Sequence, residues 1–285
     1  MIDLGNITFS YPNARVPALS GVDASIGEGI YLLLGENGAG KTTLLHLMAT
    51  LLFPTEGSVT INGDDSRRRL PSTLRSLYFL PDDARMPADT VEQLVKLHGS
   101  VFYPRFDAAM LADNLRAFGI DARIPFDMMS LGQRKKAYIA YALALRTDIL
   151  LLDEPANGLD IGSRDLLRNL MARCVEPGQT VVISTHQTAD LQPLYDGIIM
   201  LRRGKMLFSL STAEITNRIG FGVFDIPPRS ALYTMSDIGR FRSIIPADPD
   251  SPSEIDIHLL YSALQCREGE GVLSVLANPQ NPSQS

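Results

Sequence analysis

An α/β architecture, a mainly parallel sheet with helices layered on its faces, is predicted by three observations. Apolar runs at 30–34, 149–152 and 181–184 do not alternate with polar residues, as expected of strands covered on both sides. Segments with periodic apolar faces separate these runs and read as helices. The chain has 285 residues and is 45% hydrophobic, enough to bury the core of one large α/β unit with a small appendage.

The elements follow in order. Leu4, Ile7, Phe9 and Tyr11 alternate with polar residues, and a second run at 22–26 follows a turn region at Pro12-Asn13, so an antiparallel β-patch is expected ahead of the parallel sheet. Between about residues 86 and 145 strand signals give way to helical ones. They begin at Thr90-Val91-Glu92-Gln93, a capping-box pattern before Leu94, Val95 and Leu97. A helical subdomain inserted in a domain spanning 1–215 is the expectation. From 216 onward, Pro227, Pro228, Pro246, Pro249 and Pro252 break short strand-like pieces, with one helix expected at 255–265. Residues 216–277 therefore read as an appendage whose role the composition does not choose, and 278–285 as a polar tail expected to be disordered. No internal repeat is visible.

Composition removes several classes of function. No apolar run approaches the roughly 18–20 residues that span a bilayer as a helix, so direct membrane insertion is not expected. Met1-Ile2-Asp3-Leu4 carries no basic leader before an apolar core, which makes the cytoplasm the default address. A formal charge of −6 argues against broad electrostatic binding to nucleic acid. Cys174 falls on an apolar stripe with Leu166, Leu167, Leu170 and Met171 and reads as a core thiol, and its spacing from Cys266 fits no metal site.

Two segments carry phosphate chemistry. Gly35-Glu36-Asn37-Gly38-Ala39-Gly40-Lys41-Thr42 matches G-x-x-x-x-G-K-[ST], directly after a buried strand and before the helical run 43–52. Its glycines let backbone N–H groups turn toward phosphate oxygens, and the helix start, with Thr43 in its first turn, adds partial positive charge. Lys41 supplies a full charge, and the Thr42 hydroxyl suits Mg²⁺. The other segment, 149–152, ends in Asp153-Glu154, which places two carboxylates at the C-terminal edge of the sheet beside that loop. Asp153 is the expected Mg²⁺ partner, and Glu154 the base that polarises an attacking water. His186 ends a further buried strand at the same edge, within reach of a γ-phosphate, whereas His46, His98 and His258 lie in helical stretches. Tyr11 suits stacking on adenine, with an ordinary strand aromatic as the competing reading. Arg67–Arg69 and Arg134-Lys135-Lys136 read as solvated charge.

With Met129-Ser130-Leu131-Gly132-Gln133-Arg134 added, ahead of the apolar helix 137–145, the set resembles the ATP-binding cassette (ABC) family over about residues 2–215. The hexapeptide resembles the family signature Leu-Ser-Gly-Gly-Gln, with Leu131 in place of its first glycine. The resemblance implies a P-loop NTPase that hydrolyses ATP with Mg²⁺. It also implies a dimer with a second ABC subunit, identical or different, in which Ser130, Gly132 and Gln133 complete the ATP held by the opposite subunit. His186 takes the place of the family's switch histidine, and 156–160 that of its D-loop. Asp82 stands where a Mg²⁺-sensing glutamine is usual, which makes it a candidate metal contact. The arrangement is most similar to bacterial ABC-2-type exporter subunits. That implies a separate transmembrane permease as partner, a location on the cytoplasmic face of the membrane and no nucleic-acid partner. A soluble ABC ATPase acting on ribosomes or DNA is the alternative; ribosomal members usually carry two cassettes and repair members a long coiled coil, and neither pattern is present. The transported substrate is not legible.

Overall fold

The computed structural model describes residues 1–186 and 194–277. An antiparallel four-stranded sheet, ordered β2-β1-β4-β5, is built from β1 (Ile2–Phe9), β2 (Leu19–Ile26), β4 (Glu56–Ile61) and β5 (Asp64–Asp65). A six-stranded sheet, ordered β10-β9-β3-β8-β7-β6, contains β3 (Gly29–Leu34), β6 (Leu77–Leu80), β7 (Ile149–Asp153), β8 (Thr180–Ser184), β9 (Gly197–Arg202) and β10 (Lys205–Ser211). Its pairs are parallel except β9 with β10.

The continuous apolar runs have a simple origin. Leu33, Leu151, Val182 and Ile199 face one core, with β1, β2 and helix α1 (Lys41–Met48). Their neighbours Leu32, Leu34, Leu150, Leu152, Val181, Ile183 and Met200 face the other core. Successive side chains point to opposite faces, so a sheet covered on both must be apolar at every position.

Short α2 (Pro71–Arg75) leads into β6. The second core is shared with α3 (Val91–Leu94), α5 (Ala108–Phe118), α6 (Leu131–Ala144) and, after β7, α7 (Ile161–Cys174), while short α4 (Ser100–Phe102) buries no residue. Between α3 and α4 the backbone runs as a π-helix over Val95–Gly99. The expected capping box at Thr90 forms only one arm: the Gln93 N–H donates to Thr90 Oγ1 at 3.2 Å, while Gln93 Oε1 accepts from Asp89 N at 3.0 Å rather than from Thr90.

After α8 (Thr212–Thr216), a separate antiparallel sheet ordered β11-β13-β12 comprises β11 (Ile219–Phe224), β12 (Tyr233–Asp237) and β13 (Arg240–Pro246). Helix α9 (Ile257–Gln265) falls within two residues of its predicted start and is capped by Asp256, which accepts from Leu259 N at 3.0 Å. Sequence reasoning expected no second helix here, yet α10 (Glu270–Ala277) follows. Gly269, between α9 and α10, is a close-approach residue, since a Cβ there would lie 1.9 Å from Ala263 O of α9. Arg202 Nη1, at the end of β9, donates to Leu264 O at 3.0 Å and ties α9 to the large sheet. Cys174 is buried as expected, its thiol 3.6 Å from Asn114 Oδ1. The polar tail 278–285 lies outside the described residues. Among those residues no helix is long and apolar enough to cross a membrane.

Candidate functional site

The C-terminal edge of the six-stranded sheet gathers the chemistry. The turn from β3 into α1 uses Gly40 as N-cap at φ 104°, with no side-chain cap. A Cβ at Gly40 would meet Leu19 Cδ2 at 2.7 Å and Ala18 O at 2.9 Å, so both conformation and space require glycine. The first N–H groups of α1 therefore remain available to an anion. Lys41 is folded over the loop, its Nζ donating to Gly35 O at 2.7 Å and Glu36 O at 3.2 Å. Burial lowers the Lys41 pKa from its ordinary value, and the nearby Glu154 and Asp153 carboxylates oppose that shift.

Tyr11, Glu36, Asn37, Gly38, Gly40, Lys41, Thr42, Thr43, Asp82, Asp153 and Glu154 line one cleft. Gly35 and Ala39, the remaining loop residues, do not line it and are both buried. Thr42 Oγ1 donates to Asp153 Oδ2 at 2.8 Å, and Ser184 Oγ holds the other carboxylate oxygen. This all-oxygen pair fits a hard cation such as Mg²⁺. Tyr11 Oη lies 3.1 Å from Thr43 Oγ1, and its ring packs edge-on to Phe9 at 5.0 Å.

Glu154 sits one residue beyond β7 with φ 47°, an uncommon backbone conformation for a side-chain-bearing residue. Its N–H donates to Ser184 Oγ at 3.0 Å and is 3.1 Å from Ser184 O. His186 Nδ1 lies 2.9 Å from Glu154 Oε1, so strand ends β7 and β8 bring the expected base and histidine together.

Ser130, Gly132 and Gln133 do not line this cleft. They open α6, where Ser130 Oγ accepts from Gln133 N at 3.2 Å and Gln133 Oε1 accepts from Ser130 N at 2.9 Å, a complete capping box. Leu131 beside them is 67% exposed, with Met128 and Ile161 also exposed nearby in sequence to the signature and α7 start.

The basic run 134–136 departs from its expectation. Lys135 is 7% exposed, not solvated. It pairs with Asp82 and donates to Glu154 O at 2.9 Å and Asn157 O at 3.0 Å, while Asn157 Nδ2 donates to Asp82 Oδ2 at 3.2 Å. Lys136 pairs with Asp160 at 3.5 Å. Arg67, Arg68 and Arg69 are exposed as expected, although Arg67 also donates to Pro54 O at 2.9 Å and Arg69 to Thr50 O at 2.5 Å. Sequence reasoning missed Ser184, Lys135 and Asn157. A signal for Lys135 was present: it shares an i, i+3, i+7 stripe with buried Tyr138 and Ala142. On α9, burial raises the Tyr261 pKa, and Glu36 and Glu154 add to it, so the appendage reaches the electrostatic surroundings of the cleft.

Known proteins share this architecture. A sequence profile for the ABC transporter family matches residues 19–157. The phosphonates import ATP-binding protein PhnC 2 of Albidiferax ferrireducens is 31% identical over 238 residues, 75% of this chain and 86% of that protein. The ABC transporter ATP-binding protein NatA of Bacillus subtilis is 32% identical, covering 68% of this chain and 81% of its own length. The daunorubicin/doxorubicin resistance ATP-binding protein DrrA of Streptomyces peucetius is 32% identical, covering 72% and 64%. Among solved structures, the dimeric ATP-binding cassette MJ0796 in a post-hydrolysis state with ADP and Pi superposes with a TM-score of 0.63 at 26% identity, over 74% of this chain and 98% of that one. The chain belongs to the ABC transporter family, as an ATP-binding and ATP-hydrolysing subunit.

Proposed function

We propose that this ATPase powers a membrane exporter through a separate transmembrane permease, from the cytoplasmic face of the membrane, as one member of a cassette dimer. Within the cleft, the 35–43 loop and Lys41 hold the phosphates, with Tyr11 beside the base. Thr42 and Asp153 would hold Mg²⁺, which when bound would neutralise the charge on the phosphates. Glu154 orients and deprotonates the attacking water, and His186 fixes the Glu154 carboxylate and reaches the γ-phosphate. Ser130, Gly132 and Gln133 serve the ATP of the opposite subunit. The observation that carries this reading is the convergence of Thr42, Asp153, Glu154 and His186 at one sheet edge, with the α6 start outside the cleft in its own chain. Exposed Leu131 and Ile161 support a partner surface there. The relatives include a phosphonate importer and a drug-resistance subunit. Export rests on the exporter-like sequence features of this chain and on the resistance relative.

A tagged Glu154→Gln variant tests the assembly. In detergent-solubilised cells it is expected to retain a multi-spanning membrane protein in stoichiometric amount, more strongly with Mg-ATP. Ribosomal or DNA-repair proteins in its place would overturn the transporter reading. For direction, cells lacking the chain are expected to retain the transported compound; impaired uptake would make it an importer.

A further inference from the structure

We infer that Lys135 is a positioning residue for ATP hydrolysis, its ammonium tying the Asp82 loop to the backbone turn that carries Glu154. This deepens the proposed role of Glu154 and rests on it. An ammonium has three donors, and here each has an acceptor: the Asp82 carboxylate, Glu154 O at 2.9 Å and Asn157 O at 3.0 Å. A lysine this buried is tolerated only with such partners, so the contact set is a structural requirement of α6 and not a surface accident.

The turn it holds is unusual. Glu154 has φ 47°, and a left-handed residue with a side chain persists only where its surroundings over-determine it. Three groups do so: Ser184 receives the Glu154 N–H, and the Glu154 carbonyl accepts from both Lys135 Nζ and the Asn157 N–H, the latter at 3.1 Å. The carboxylate that faces the cleft is thus aimed by a residue that lines a neighbouring pocket and not the cleft itself. Asp82 supplies the countercharge that lets an ammonium sit among backbone carbonyls, and Asn157 Nδ2 also donates to that carboxylate. The carboxylate at 82 and the cation at 135 are therefore one device. It links the loop after β6, the first turns of α6 and the turn after β7, so displacement of the Asp82 loop releases the aim of Glu154.

The test uses the full-length chain. Steady-state Mg-ATP hydrolysis, equilibrium binding of a fluorescent ATP analogue and thermal melting are measured for the wild type, Lys135→Met, Asp82→Asn, the double variant and Glu154→Gln. A positioning role predicts that Lys135→Met lowers kcat about tenfold or more, with KM and analogue binding within about twofold. It also predicts that the double variant is no worse than Lys135→Met, because the two side chains act as a unit. Should Lys135→Met fail to fold, Asp82→Asn carries the same kcat-against-KM test, since it keeps the shape and removes the charge. A kcat within about twofold of wild type, or a loss confined to KM and binding, overturns the inference. So does a double variant whose loss is the product of the single losses. Glu154→Gln hydrolysing at the wild-type rate would instead refute the reading of Glu154, an outcome distinct from failure at Lys135.

Discussion

The chain presents two helix starts to phosphate chemistry, and they are built in opposite ways. α1 begins at Gly40, which offers no side-chain cap, so its leading N–H groups are open. α6 begins at Ser130, and the Ser130–Gln133 capping box engages the N–H groups of Ser130 and Gln133 with the helix's own side chains. A helix end needs partners for its first N–H groups, and the two ends obtain them from different sources. α1 is a site held ready for a ligand in its own chain. α6 meets part of that need from its own side chains, and its box leaves the N–H groups of Leu131 and Gly132 outside it.

If α1 is the primary phosphate site, its loss is the largest expected effect. Lys41→Met removes the one full positive charge in the loop, and we expect ATP hydrolysis to fall by at least about 100-fold, measured as phosphate release. Melting should change little, because the methionine keeps the stem packed. A variant with near-normal hydrolysis would break the comparison at its stronger end. Gly40→Ala comes next. Its Cβ would enter space held by Leu19 and Ala18 O at a φ of 104°, so we expect about 1–3 kcal/mol of lost stability and weakened nucleotide binding. Denaturant melts with and without Mg-ATP would separate the two effects.

The contrast also shows what could be read in the sequence. The 35–42 loop and Asp153-Glu154 were legible because each residue type has a local task and the setting, strand then loop then helix, is encoded nearby. The parallel sheet was legible because burial on both faces writes an unbroken apolar run. Lys135 was marked only by its stripe with Tyr138 and Ala142, a sign overridden because three consecutive cations look solvent-facing until Asp82 and the carbonyls of Glu154 and Asn157 are brought around it. The π-helical turn at Val95–Gly99 is a shift of backbone pairing that leaves no mark in residue type. α10 was hidden because Gly269 signals a break locally, whereas its purpose is contact with α9.

At α6 the expected effects are smaller. Ser130→Ala deletes the N-cap and should cost about 1 kcal/mol, roughly 2–4 °C in melting for a chain of this size. If Ser130 also serves the opposite subunit, hydrolysis at assembly concentrations should fall well beyond that loss, while ATP-analogue binding by the monomer stays intact. A loss of hydrolysis no greater than the loss of folded protein would make Ser130 a cap alone.

Gln133→Ala is the finest probe, because it removes only the arm that caps Ser130 N. That N–H is exposed to solvent, so water replaces the carboxamide and the stability cost should be about 0.5 kcal/mol. The consequence for assembly depends on what the arm does. If it merely fills the helix end, its removal frees a donor for the incoming phosphate, and Mg-ATP-driven dimerisation of a Glu154→Gln background should occur at equal or lower ATP concentration. If Gln133 itself contacts the opposite nucleotide, dimerisation should require more ATP. Sedimentation across an ATP titration reads the difference, and we expect the second result, in keeping with the place proposed for Gln133 at the ATP of the opposite subunit.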